Sequence, residues 1–407
     1  MNILFLTVSN IYDINQRGIY TDLMRKFRDN GHSVYIVSPV ERRLQGITQL
    51  KVEDGVYILN VKTLNIQKTN ILEKGLATLL LEYQYSKAIA NYLSDKKFDL
   101  ILYSTPPITL NNVIRRVKKE NKAKTYLLLK DIFPQNAVDL GMIKANSLIH
   151  RFFLRKERNM YFLSDFIGCM SPANVNYLLH HNPQINPQTV EVNPNSIEPL
   201  NQYLKGAEKQ ATRQKYKIPQ EATVFIYGGN LGKPQGLNFL LDILEYNISR
   251  TDVFFVIVGS GTEYGRIESW FRKKDPKNAL LLPKLDKEEY DRFVQSCDIG
   301  MILLDPRFTI PNFPSRLLSY LEYRLPVIAS TDKNTDIGSI LEENKIGYWC
   351  LNGDIVEFNK LINKIINDKE KLRKMGDNGF NYLTNNYSVE RSYEIIMNRM
   401  NRCNQAN

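Results

Sequence analysis

Cysteine, histidine and tryptophan are scarce in this 407-residue chain: four, four and two. Cys169, Cys297, Cys350 and Cys403 are widely spaced and form no Cys-x-x-Cys pair. That excludes zinc ribbons and the disulfide frameworks of small secreted domains, and it leaves buried or free thiols. No window approaches the roughly 18 consecutive apolar residues of a membrane-spanning helix; the best runs, such as 253–259, end after a few residues. The opening Met1-Asn2-Ile3-Leu4-Phe5-Leu6 has no basic leader and soon meets Ser9, Asn10 and Asp13. It reads as a first strand, not a signal peptide, so the expected location is the cytoplasm. Repeats at solenoid spacing and low-complexity segments are also missing.

What is present is ordinary globular material, 43% hydrophobic and 24% charged, which excludes disordered, collagen-like and coiled-coil classes. At roughly 100–200 residues per domain, two domains are expected. The net charge of +11 is unevenly spread: residues 1–200 hold 25 Lys+Arg against 17 Asp+Glu, residues 201–407 hold 29 against 26. Such a field favours an anionic partner, which could be a nucleic acid, an acidic membrane surface or a phosphorylated substrate. A generally basic proteome would give the same excess.

Strand-like apolar runs alternate with amphipathic segments throughout, the pattern of repeated βα units around parallel sheets. In the first half strands are expected at 3–8, 33–38, 100–103, 124–129 and 166–170, with helices at 21–30 and 79–94. A second series follows at 223–227, 253–258, 279–282, 299–303 and 326–329. The stretch 193–199 and the polar run 202–217 have the composition of an interdomain connection with a short surface helix. The expected division is therefore 1–200, 201–385 and a C-terminal segment 386–407, whose helix at 389–401 could cross back to the first domain.

Ligands of open α/β sheets sit at the carboxyl ends of strands, so four loops matter. The first runs from Ser9 to Arg17-Gly18 at a helix start, where backbone N–H groups could face an anion. The second is Gly228-Gly229-Asn230-Leu231-Gly232-Lys233-Pro234-Gln235-Gly236; its glycines allow close approach and Lys233 supplies positive charge. It matches neither a Walker A motif nor a dinucleotide fingerprint. The third, Phe313-Pro314-Ser315-Arg316, feeds a helix that carries Glu322, with donors for a phosphate and a carboxylate for ribose hydroxyls. The fourth, Lys130-Asp131-Ile132-Phe133-Pro134, puts a carboxylate beside a strand end, where it could act as an acid/base group or simply cap a turn.

Taken together these motifs and their order resemble family 4 glycosyltransferases of the GT-B fold, in the WbuB-like branch of bacterial O-antigen and capsule enzymes. The likeness spans nearly the whole chain and includes Ser104-Thr105-Pro106-Pro107 and Leu325-Pro326-Val327-Ile328-Ala329. It implies two Rossmann-like doubly wound domains facing a central cleft, the acceptor bound by the N-terminal one and the nucleotide-sugar donor by the C-terminal one. Typical members place an Arg and a Lys on the glycine-rich loop where this chain has Asn230 and Gln235. They also place two glutamates where it has Pro311 and Ser319. Arg316 and Lys233 could supply the missing charge, and Glu322 could replace the ribose carboxylate.

The resemblance implies a metal-independent, retaining glycosyltransferase (EC 2.4), without a cofactor, that uses a UDP-linked sugar and a polyprenyl-diphosphate-linked saccharide in surface polysaccharide assembly. Asp131 is the expected catalytic group. Gly18, Gly229, Asn230, Lys233, Gln235, Ser315, Arg316 and Glu322 are the expected donor contacts. An enzyme with a lipid-linked acceptor and no spanning helix must meet the inner face of the membrane peripherally. The expected contacts are the apolar stretch 71–81, with Leu72, Leu76, Leu79 and Leu80 on one helical face, and the cluster Arg115, Arg116, Lys118, Lys119, Lys122 and Lys124. Two alternatives stay open: an epimerase or phosphorylase of the same fold, and a nucleic-acid-binding protein. The second lacks an aromatic-basic recognition motif, so no nucleic-acid partner is expected.

Overall fold

A computed structural model of the chain describes residues 1–66, 71–201 and 203–405. They divide into two compact units, Met1–Glu198 with Tyr387–Asn407, and Pro199–Asn386.

The first unit runs β1 (Asn2–Leu6), α1 (Ile19–Asp29), β2 (Ser33–Glu41), β3 (Gln49–Glu53), β4 (Val56–Thr63), α2 (Ile71–Tyr92), β5 (Leu100–Ser104), α3 (Asn111–Asn121), β6 (Lys124–Leu129), α4 (Gln135–Asp139), α5 (Leu148–Leu163), β7 (Phe166–Cys169), α6 (Pro172–His181) and β8 (Val190–Val192). The eight strands lie in the order β3-β4-β2-β1-β5-β6-β7-β8. Every neighbouring pair is parallel except β3 with β4. Side chains alternate between faces along each strand, so Leu4 and Leu6 enter one core with Val113 and Val117 of α3. Ile3 and Phe5 enter another with Phe27 of α1. Burial on both faces is why the central strands read as unbroken apolar runs.

The β3–β4 hairpin is not among the strands expected from sequence. Its turn is Asp54-Gly55, with φ of 47° and 77°, the left-handed pair that a two-residue hairpin turn demands and Asp-Gly supplies. β3 itself is polar and half-exposed, so it lacks the apolar alternation by which strands are found.

The second unit runs α7 (Gly206–Lys215), β9 (Thr223–Asn230), α8 (Leu237–Tyr246), β10 (Val253–Ser260), α9 (Tyr264–Lys274), β11 (Ala279–Leu282), α10 (Lys287–Ser296), β12 (Ile299–Leu303), α11 (Arg316–Glu322), β13 (Val327–Thr331), α12 (Ile337–Glu343), β14 (Gly347–Leu351), α13 (Ile355–Ile366) and α14 (Lys369–Asn386). Its six strands are all parallel in the order β11-β10-β9-β12-β13-β14. Numbered within the unit this is 3-2-1-4-5-6, the doubly wound order whose ligand crevice opens where the order reverses, between β9 and β12. In the first unit the reversal falls between β1 and β5.

The chain ends in α15 (Val389–Gln405), which belongs to the first unit. Its Val389, Ile396 and Met400 are buried with Ile3, Phe5 and Phe27, and its Tyr393 hydroxyl lies 3.1 Å from His32 Nε2. Cys169, Cys297 and Cys350 are buried free thiols, and burial pushes all three up, to about 12, 12 and 11. Among the described residues no helix is long and apolar enough to cross a membrane.

Candidate active site

In the second unit the two loops singled out from sequence leave β9 and β12, the strands that flank the reversal. Tyr227, near the end of β9, is fully buried, and its ring lies under the Arg316 guanidinium, 4.3 Å from ring centre to Cζ. The Tyr227 hydroxyl donates to the Asn230 carbonyl at 2.9 Å and to Gln235 Oε1 at 3.3 Å. Arg316 Nη2 donates to the same Gln235 Oε1. Gly228 makes the cage possible, because a Cβ there would stand 2.0 Å from the Tyr290 hydroxyl oxygen. The Gly228 N–H donates to the Tyr320 hydroxyl at 3.1 Å, which in turn donates to the Ile226 carbonyl.

The result is a cation walled by Tyr227, Tyr290 and Tyr320. Burial works against its charge, while these phenol oxygens favour it and hold its pKa above the usual arginine value. Among the described residues no carboxylate pairs with Arg316, and its Nη1 is buried without a hydrogen-bond partner. One helical turn on, the Ser319 Oγ is likewise buried and unpartnered. A sequestered cation with an idle donor is costly unless something anionic completes it.

The sequence-expected residues divide around this cage. Gly229 adjoins it, with a Cβ position 3.9 Å from Arg316 Cζ, and Gln235 is part of it. The side chains of Asn230, Lys233 and Ser315 are exposed at its edge. Glu322 lies at the far end of α11, buried, with its Oε1 accepting from the Leu200 N–H at 2.9 Å. That carboxylate secures the segment entering the unit. Gly18 is in the first unit, where its N–H donates to Asp22 Oδ1 at 2.9 Å. An anion at the start of α1 would therefore meet the Asp22 carboxylate, which Arg25 also engages.

Asp131 follows β6 in the first unit. Thr105 Oγ1 accepts from the N–H groups of Lys130 and Asp131 and donates to the Asp131 carbonyl, all near 3.0–3.1 Å. Asn136 Nδ2 donates to both carboxylate oxygens, at 2.9 and 2.8 Å. Burial outweighs these bonds and raises the carboxyl to about 6. Two neighbours missed from sequence share its setting. Lys130 donates to the Asn193 carbonyl and is lowered to about 7 by burial. Glu157, which accepts from the Tyr161 hydroxyl at 2.7 Å, is raised to about 7 by burial, with the Asp131 charge adding to the shift. In sequence, Glu157 sits among Arg155, Lys156 and Arg158 and looks like part of a solvated face. Its one local signal is Tyr161 a helical turn later.

Two doubly wound units in one chain, the second with a tyrosine-walled guanidinium at its strand reversal, make a GT-B fold. Residues 208–382 match the family model described as Glycosyl transferases group 1; the second unit is a glycosyltransferase group 1 domain, and the protein is a glycosyltransferase. Over 339 residues, 80% of each chain, the sequence is 22% identical to WbjE of Pseudomonas aeruginosa, named as a glycosyltransferase. It is 21% identical to WcaI of Escherichia coli (strain K12), named as a colanic acid biosynthesis glycosyl transferase, over 60% of each chain. Among solved structures it is similar to HepE from Anabaena in complex with UDP, with a TM-score of 0.71, 15% identity, and 99% of this chain and 100% of that one covered.

Proposed function

We propose that this protein is a retaining, metal-independent glycosyltransferase that transfers a sugar from a UDP-linked donor to a polyprenyl-diphosphate-linked saccharide during bacterial surface polysaccharide assembly. The observation that carries the reading is the Arg316 cage: a half-buried guanidinium without a carboxylate partner among the described residues, whose buried Nη1 offers an idle N–H beside a glycine-rich loop. A diphosphate completes its charge, with the Lys233 ammonium and loop N–H groups as further donors and Ser315 at the edge. In the transfer the sugar C1–O bond to the diphosphate breaks, and the leaving group takes the electron pair. The acceptor oxygen bonds to C1 on the same face. Fixed cations stabilise the departing charge without a metal ion or other cofactor. Asp131, in its ionised form, orients the acceptor hydroxyl or takes its proton.

UDP in the HepE complex and colanic acid in the WcaI name support the donor and the pathway class. For the acceptor, the support is an apolar surface on the first unit. Leu76, Leu79, Leu80 and Tyr83 of α2 are exposed, as are Leu148, Ile149 and Phe152 of α5, where Leu148 shows 84% of its surface. The two helices are tied together across the start of α3. Asn112 donates to Glu82 of α2, and Asn111 to the Lys156 carbonyl of α5. Leu72, part of the expected face, lies outside the side chains described. Arg116 turns away from the expected basic cluster, donating to the Ser86 carbonyl and pairing with Glu120.

The test is transfer in EDTA with a synthetic polyprenyl-diphosphate acceptor, the anomeric configuration of the product being read by NMR. Retention of the donor configuration with EDTA present is expected. Inversion, or activity restored only by magnesium, would overturn the reading, and donor turnover without acceptor would favour an epimerase.

A further inference from the structure

On α3, Arg115, Lys118 and Lys119 stand at i, i+3 and i+4, and Lys122 follows as the left-handed cap of the helix, while Val113, Ile114 and Val117 are buried. Like charges at these spacings repel and weaken an isolated helix. The helix dipole and one ion pair offset only part of this. Lys118 Nζ lies 2.9 Å from Asp165 Oδ2, and Arg115 meets only the neutral Asn112 Oδ1 of its own helix. Among the described residues Lys119, Lys122 and Lys124 have no carboxylate partner. These side chains and Lys124, the first residue of β6, line a shallow depression of about 400 Å³, largely open to solvent, whose one acidic lining residue is Asp165. Its volume falls within the range of small-ligand sites. It opens at the amino end of β6, whereas Asp131 follows the carboxyl end of the same strand.

We infer that this pocket is a discrete binding site for a phosphate-bearing ligand, best matched by a diphosphate or paired phosphate group, and separate from the donor cage. Five cations around one carboxylate leave an excess of positive charge that two phosphoryl groups neutralise. Ammonium and guanidinium donors gathered around one depression can engage the same anion through several charge-assisted bonds at once. The ligand is either a free phosphorylated metabolite or the headgroup phosphate of an anionic lipid. The inference does not depend on the acceptor being lipid-linked.

The probe is inorganic diphosphate, titrated calorimetrically into the full-length protein at fixed ionic strength. Arg316→Ala, which removes the donor cage, is expected to keep one site per chain. Lys119→Gln, Lys122→Gln and Lys124→Gln together should weaken that site about tenfold or more. An equal-charge control, Lys273→Gln with Lys277→Gln and Lys369→Gln, should leave it intact. No site remaining in Arg316→Ala, or equal weakening by the control triple, would overturn the inference. Phosphatidylglycerol vesicles then separate the sources. If soluble diphosphate displaces the protein from vesicles and the pocket triple fails to bind them, the ligand is a headgroup; if vesicle binding responds to neither, it is a free phosphate compound.

Discussion

Asp131 shows how a short motif and a fold divide the labour. The motif places a carboxylate at a strand end, but its proton affinity is set by burial, by Asn136 and by Thr105 from other elements. With the carboxyl raised to about 6, turnover should fall as pH drops through 6 and level off above it, because only the ionised form accepts a proton. Asp131→Asn should lower kcat far more than donor affinity and abolish this limb of the profile. The stability consequence has the opposite sense. The folded state holds this proton more tightly than the unfolded chain, so the Asp131 contribution to stability declines as pH rises from about 4 to 6. Asp131→Asn should therefore raise Tm at pH 7.5 and lose that advantage at pH 4. Equal kcat for the two proteins across this range would make Asp131 a structural cap. At this scale the sequence drew attention to Asp131 and Arg316 and carried little sign of Glu157 and Tyr290, whose settings arise from burial and from neighbours on separate elements.

Among elements, most strands buried on both faces were legible because burial forces an apolar run, whereas β4, whose run is broken by Asn60 and Lys62, was not. β6 and β12 lie where the run falls, at Lys124–Leu129 and Ile299–Leu303, and the half-buried edge strand β11 (Ala279–Leu282) is found by its three leucines. The edge strand β3 was not, since its exposed side chains need not be apolar. α2 begins eight residues before the expected start at 79 and exposes leucines that a core helix would bury. α15 is the reverse case, a C-terminal helix that completes a core laid down near the N-terminus. Ile396→Ala, which empties a site with no solvent exposure, should cost about 2–5 kcal/mol in denaturant unfolding. A change below about 0.5 kcal/mol would mean that α15 is dispensable to the first unit. At β9, Gly228→Ala would drive a methyl into the Tyr290 hydroxyl; it should weaken UDP binding through displacement of the cage and leave the first unit's unfolding unchanged.

For the molecule as a whole, the two-unit plan follows from two series of βα repeats separated by a polar connection, and the charge excess of residues 1–200 belongs to the unit with the exposed apolar rim. If that rim enters a bilayer, Leu148→Ser with Ile149→Ser should reduce sedimentation with anionic vesicles while leaving transfer to a water-soluble short-chain acceptor intact. Equal sedimentation of the two proteins would exclude α5 from the contact. The second unit carries the heavier proposal, that a metal-free guanidinium cage binds the leaving diphosphate. Calorimetric titration of UDP in EDTA, with wild type and Arg316→Ala side by side, tests it most directly. Wild type should bind, and the variant should lose about 1.5–3 kcal/mol of affinity while keeping its folded spectrum; identical affinities, or wild-type binding that appears only with magnesium, would place the diphosphate elsewhere.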